Sequence, residues 1–253
     1  MTTTKKRILI ALGCVALIPV LAIAALVAIR ETPDGPRVEA APGVVGVETG
    51  GAYAWIVRTP NGAVLVDAGM DAAGAALLAE LKAQAIAPDQ VRAVLLTHGH
   101  PDHYAAATLF PKAMVVAGAG DLTMIRGDKS HYPTFGRIVS AVVPLPPPPS
   151  VVAPVRGGEQ LRFDEAEFTV ISTPGHSPGS VMYLFKDVLF TGDSLLRKQD
   201  GVSVPPSLFS DDAAANLASL RALEPLPFTT IADGHVGATP GAKEKLGRLL
   251  SGR

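Results

Sequence analysis

The sequence predicts a layered α/β domain, with helices packed outside a pair of sheets and an apolar, membrane-crossing segment ahead of it. Three observations lead there. Short apolar, β-branched runs alternate with helix-like stretches from residue 43 onward, in two strand-rich halves. Glycine and proline, at 25 and 22 residues, suit a loop-rich α/β fold better than a helix bundle. An uncharged, almost wholly apolar run at 8–29 follows Lys5, Lys6 and Arg7.

That run has 22 residues, enough to cross a bilayer as a helix. The basic residues at 1–7 stay in the cytoplasm, so the chain is expected to be single-pass with its main domain outside. The alternative is a signal peptide cleaved near Ala22-Ile23-Ala24, which also exports the domain. Cys14, the sole cysteine, reads as a small apolar filler in the membrane helix. The main domain therefore has neither a disulfide nor thiolate ligands, and any metal site there must use His, Asp and Glu. Residues 30–42, RETPDGPRVEAAP, read as a linker, and the folded domain is expected at 43–253. Its length suits a single domain with a full core. With 22 Lys+Arg against 23 Asp+Glu there is no basic excess, and no nucleic-acid partner is expected.

In order, residues 52–58 (AYAWIVR) and 63–69 (AVLVDAG) are strands around a hairpin turn signalled by Asn61-Gly62. Asp71 is placed to cap a helix through 72–84. Residues 91–96 (VRAVLL) and 113–118 (AMVVAG) read as buried strands. The stretch 119–150 is less regular and ends in PLPPPP at 144–149, a stiff polyproline II strap. More strands follow at 167–173, 180–185 and 188–192, with Lys186-Asp187 between the last two. Residues 211–223 read as a capped amphipathic helix, 228–235 as a strand ending in a loop, and 241–250 as the last helix.

The chemistry gathers at strand ends. In THGHPDHYAAATLF, side-chain alternation puts His98 and His100 on one side. Pro101 suits the first position of a helix that begins near Asp102 and continues through the alanine run. Asp102 and His103 then point from its first turn toward the same pocket. His176 lies in STPGHSPGS, Asp193 in LFTGDSL and His235 in ADGHVG, each where a strand gives way to a glycine-flanked loop. Five of the 6 histidines fall in such loops, and only His131 does not. Surface polarity does not explain that distribution.

THGHPDH is similar to the His-x-His-x-Asp-His signature of the metallo-β-lactamase superfamily. VLVDAG, TPGHSPGS, FTGDS and DGH resemble its other motifs, in the family's order. The resemblance covers about 43–253 and implies a four-layer αβ/βα sandwich. It also implies two metals: His98, His100 and His176 for the first, Asp102, His103 and His235 for the second, and Asp193 as bridge. Asp67 looks like the family's supporting carboxylate, orienting a ligand histidine, with turn capping as the alternative. Imidazoles and carboxylates suit zinc, and also iron or manganese. A water shared by two ions would attack a carbonyl, with Asp102 holding the nucleophile and passing its proton on. Ser194 reads as a hydrogen-bonding neighbour rather than a nucleophile.

The resemblance leaves several activities open. Glyoxalase II proper carries a C-terminal helical domain, and only about eighteen residues follow His235. True metallo-β-lactamases usually lack an aspartate in the Gly-Asp context of TGDS. The expectation is a hydrolase of a small ester, thioester or lactone. Alternatives are a class B β-lactamase-like enzyme, a mononuclear-iron persulfide dioxygenase-like enzyme, and a non-catalytic, membrane-tethered metal binder. Arg197 and Lys198 either reach an anionic substrate or form a solvated loop end. Tyr104, His131 and Tyr132 are expected in ordinary packing rather than at the pocket mouth.

Overall fold

The computed structural model describes residues 31–150 and 152–252. The apolar segment at 8–29 lies outside them. No described helix is long and apolar enough to cross a membrane.

Seven strands form the first sheet in sequential order: β1 (Arg37–Ala41), β2 (Val44–Glu48), β3 (Tyr53–Thr59), β4 (Gly62–Val66), β5 (Val91–Leu95), β6 (Met114–Gly118) and β7 (Ala153–Val155). The first four pair antiparallel through short turns. From β4 to β7 the pairing is parallel. Each of those connections must return along the sheet, and the helices sit there. α1 (Ala75–Ala83) follows β4, α2 (Pro101–Tyr104) follows β5, and α3 (Leu122–Ile125) and α4 (Thr134–Val142) follow β6.

The second sheet contains β8 (Gln160–Phe163), β9 (Ala166–Ser172), β10 (Val181–Phe185), β11 (Val188–Gly192), β14 (Thr230–Asp233) and β15 (Ala238–Pro240). Its spatial order is β15-β14-β11-β10-β9-β8. A small hairpin, β12 (Leu196–Lys198) with β13 (Gly201–Ser203), stands apart. Two helices complete this half, α5 (Ala213–Ser219) and α6 (Ala242–Ser251).

Side-chain alternation divides the interior into three apolar layers. On β3, Tyr53, Trp55 and Val57 face the second sheet, while Ala54 and Ile56 face Leu77 and Leu81 of α1. On β10, Val181, Tyr183 and Phe185 meet the first sheet. Met182 and Leu184 pack instead with Leu220, Leu223 and Leu246. Helix, sheet, sheet, helix is the four-layer order expected. Strands buried on both faces explain why β4, β10 and β11 read as continuous apolar runs.

Several expectations change. Residues 37–41, read as linker, form β1, because Val38, Ala40 and Ala41 cover the edge of the inter-sheet layer. Thr59 pairs with Gly62, so the tight turn is centred on Pro60-Asn61. Gly62 takes φ 150 and lies against the Gln90 carbonyl, where a Cβ has no room. The helix at 101 stops after one turn, and the alanine run continues as a 3₁₀ turn at Ala107–Leu109. The loop after β4 competes for its backbone: Ala68 N–H donates to the His103 carbonyl (2.6 Å) and Ala105 N–H to the Gly69 carbonyl (3.1 Å). Asp212 caps α5, accepting from Ala214 and Ala215 N–H at 3.0 and 2.9 Å. The helix then tightens to 3₁₀ geometry at Leu220–Leu223. Asp71 accepts from Ala73 and Ala75 N–H, and α1 begins at Ala75 rather than 72.

Phe190 is fully buried between the sheets, edge-on to Trp55 at 6.1 Å. Phe190→Ala is expected to lower unfolding free energy by about 3–5 kcal/mol in denaturant titration. A cost under about 1 kcal/mol would contradict the assignment of this layer as the central core.

Candidate metal centre

Five strand ends meet at one edge of the two sheets. β5 runs into Thr97–His100, and His100 precedes Pro101 as the extended residue that opens α2. Asp102 and His103 occupy that first turn. β9 leads to His176, β11 to Asp193, β14 to His235 and β4 to Asp67. Because the strands are rigid, their ends bring side chains far apart in sequence to fixed positions.

His176 Nε2 lies 3.2 Å from His98 Nε2 and 3.0 Å from His100 Nδ1. His235 Nε2 is 2.9 Å from Asp193 Oδ2, and His103 Nε2 is 3.3 Å from Asp193 Oδ1. Asp102 Oδ2 stands 3.8 Å from both His103 Nε2 and His235 Nε2. Asp193 Oδ2 also lies 3.7 Å from His176 Nε2. Three overlapping groups, His98/His100/His176, His98/His103/Asp193 and Asp102/His103/His235, are each close enough to hold a metal ion. All seven metal-ligand candidates from the sequence are thus brought together.

The donor set fits divalent metal. Tetrahedral zinc with Zn–N near 2.05 Å separates its nitrogens by about 3.3 Å, close to the spacing of His98, His100 and His176. His103 Nε2 and Asp193 Oδ1 are buried, face each other, and make no hydrogen bond of acceptable geometry. Burial, aided by the neighbouring imidazoles, holds His98 well below the usual histidine range. Burial also lowers His100, against the pull of Asp102 and Asp193, and brings His176 down to about 3. These three rings are therefore neutral at pH 7, the form that ligates metal. The other half differs. Burial opposes charge on His103, but Asp193, Asp67 and Asp102 outweigh it and raise its pKa. His235 is raised in the same way, chiefly by Asp193. Asp193 is held well below the carboxylate range because His235 and His103 overcome its own desolvation. Such concentrated negative charge is what a bound cation would balance.

In three of the rings a far-side partner sets the tautomer. Asp67 Oδ2 accepts from His103 Nδ1 at 2.8 Å, so His103 Nε2 is left to face the site. Asp67 also accepts from Thr97 N–H and Thr97 Oγ1, both at 2.8 Å, in a left-handed backbone at φ 58. Asp67 thus contacts one histidine of the cluster while also bonding the loop backbone at Thr97. His98 Nδ1 lies 3.1 Å from Thr97 Oγ1, and His235 Nδ1 donates to the Gly51 carbonyl at 2.7 Å.

Two buried aspartates escaped the sequence reading. Asp121, just past β6, accepts from Gly99 N–H (2.7 Å), Ser177 Oγ (2.6 Å) and Gly179 N–H (2.6 Å). It ties the loop of His98 and His100 to the loop of His176. Desolvation pushes its carboxyl up, and those donors hold it down. In sequence it is one aspartate beside glycines in GAGDL, with no visible partner. Asp233 caps the His235 loop, accepting from His235 and Val236 N–H at 2.9 and 2.6 Å. Its place two residues before His235 was a legible turn signal.

Other candidates lie elsewhere. Arg197 pairs with Asp34, its side chain partly exposed. Lys198 is exposed. Tyr104 is buried as expected. Tyr132 is buried too, but its ring stands edge-on to His100 at 5.6 Å, closer to the site than expected. His131 is exposed and meets Asp211 at 3.3 Å. Ser194 is buried and its backbone carbonyl accepts from Asn216 Nδ2.

A sandwich of this layering carries at its strand ends a histidine–aspartate cluster able to hold metal. Residues 47–235 match the metallo-beta-lactamase superfamily, and the chain belongs to it. It is 31% identical over 179 residues to a hydroxyacylglutathione hydrolase of Photobacterium profundum, covering 70% of this chain and 58% of that protein. The chain thus spans about three-fifths of the length of the hydroxyacylglutathione hydrolases it matches. A probable metallo-hydrolase of Bacillus subtilis, YflN, is 30% identical over 231 residues, covering 78% of this chain and 86% of that one. Among solved structures, a metallo-beta-lactamase family protein of Thermus thermophilus aligns with TM-score 0.66 and 23% identity, covering 84% of this chain and 79% of the other, a likeness of fold.

Asp121→Asn keeps the side chain's size but turns one acceptor into a donor, set against Gly179 N–H at one oxygen position or Gly99 N–H and Ser177 Oγ at the other. It is expected to weaken metal affinity about 10–100-fold, read by chelator competition. Unchanged affinity in a folded variant would remove Asp121 from any part in positioning the ligands.

Proposed function

We propose that the protein is a dinuclear zinc hydrolase of small esters, thioesters or lactones. One observation carries this reading: Asp193 lies within reach of His176 on one side and of His103 and His235 on the other. His98, His100 and His176 would hold the first ion, Asp102, His103 and His235 the second, and Asp193 both. When bound, the two ions would supply Lewis acidity and lower the pKa of water held at the site. The protein's own groups do the rest. Asp67, Thr97 and the Gly51 carbonyl fix the tautomers of His103, His98 and His235. Asp102, whose side chain is 32% exposed, is the carboxylate open to substrate. It orients the attacking water, takes its proton, and returns it to the leaving oxygen or sulfur as the acyl bond breaks. Water is consumed, and a carboxylic acid and an alcohol or thiol are released. The relatives named as hydrolases support hydrolysis over simple metal storage. Export by the segment at 8–29, as anchor or signal, completes the reading. Protease added to intact cells is expected to reach the domain, and shielding until lysis would contradict export.

Elemental analysis of the purified protein is expected to give about two zinc ions per chain. His100→Ala and Asp193→Ala should each lose at least one. One iron with no zinc would favour dioxygenase-like chemistry instead. A panel of thioester, lactone, aryl ester and β-lactam substrates separates the hydrolase readings. No turnover on any of them by metal-loaded protein would reject the proposal.

A further inference from the structure

Beside the metal centre stands a helix without a core. α4 carries Phe135, Ile138 and Val142 at i, i+3 and i+7, a spacing that normally faces an interior. None of its residues is buried, and Ile138 and Val142 are 63% and 80% exposed. Against it lies the 3₁₀ turn Ser207–Phe209, with the Phe135 and Phe209 rings 5.0 Å apart and Leu208 also exposed. An apolar surface of this kind marks a binding face.

Its attachment says what it binds. α4 follows directly on Tyr132, whose ring stands against His100. The 207–209 turn runs into Asp211 and Asp212, whose N–H groups donate to the carbonyls of His176 and Gly175 at 3.0 and 2.8 Å. His131 and Asp211 join the two arms across the gap. Both apolar arms are therefore anchored on the loops of His100 and His176, the ligands proposed for one ion. A flat docking surface needs no such anchorage, but a lip that aligns part of a substrate with that ion does.

We propose that α4 and the 207–209 turn form an acyl-binding lip, and that the substrate carries an apolar chain of medium length. The proposal rests on the hydrolase reading and names the substrate class within it. The chain would lie along Ile138, Val142 and Leu208 while its carbonyl reaches the ligand cluster. Each methylene buried there strengthens binding up to about fourfold.

The test uses full-length, metal-loaded protein and p-nitrophenyl acetate, butyrate, octanoate and decanoate. kcat/KM is expected to rise at least about tenfold from acetate to octanoate. Ile138→Asp with Val142→Asp, both at exposed positions, should remove most of that rise. Acetate turnover and metal content should stay within about twofold. Leu208→Asp on the other arm should act in the same direction. A flat chain-length profile, or equal loss on acetate and octanoate, overturns the lip. So does an unchanged preference in variants that instead lose binding to phosphatidylcholine vesicles, since the patch then serves a bilayer. If no ester is hydrolysed at all, the hydrolase reading fails first. Calorimetric binding of octanoate then decides the lip: wild type should bind and the double variant should not, and absence of binding by wild type overturns it.

Discussion

Asp193 is a carboxylate buried among imidazoles, and the surrounding architecture exists to make that tolerable. An isolated buried carboxylate would neutralise itself by taking up a proton. Here His103 and His235 hold it ionised, while Asp67 and Asp102 in turn support His103. A cluster of this charge density must be rigid, since an ångström of slack would leave a buried charge unpaired. Rigidity comes from the two sheets, whose ends deliver every member of the cluster. Packing is tight enough that a Cβ on Gly234 would sit 2.4 Å from Asp193 Oδ1, so residue 234 has no room for a side chain.

The same constraint separates two kinds of polar residue. The histidines turn ring nitrogens toward the cluster, and the far-side nitrogens of His103, His98 and His235 meet Asp67, Thr97 and a backbone carbonyl. The buried aspartates Asp121 and Asp233 never reach the cluster. They collect backbone N–H groups from the loops that carry it, replacing the regular hydrogen bonds those loops lack. Chemistry and loop structure are therefore maintained by different carboxylates. Asp67 alone does both, bonding Thr97 and His103 together.

Continuous apolar runs made the strands legible, because a strand buried on both faces has no polar side to alternate with. β1 was hidden because only a few of its residues touch the inter-sheet layer, and its proline-rich approach resembles a linker. The alanine run after His103 has high helix propensity, yet the loop after β4 takes its hydrogen bonds and ends the helix at Tyr104. Helix α4 illustrates the opposite case. Its periodicity was present in sequence, but only the structure shows that its apolar stripe faces no core.

By itself the sequence singled out the candidate ligands: alternation at a strand end puts His98 and His100 on one side whatever the rest of the chain does, and the family resemblance implied the remainder. It also limited the donors available for metal, since a domain without cysteine leaves only imidazole and carboxylate. Tertiary structure alone decided what those ligands lean on. The contacts of Asp121 with Gly99, Ser177 and Gly179 join segments up to 58 residues apart. The clasp of His131 with Asp211 spans 80. No local pattern encodes such pairs, because each partner is an ordinary residue until the two sheets close face to face.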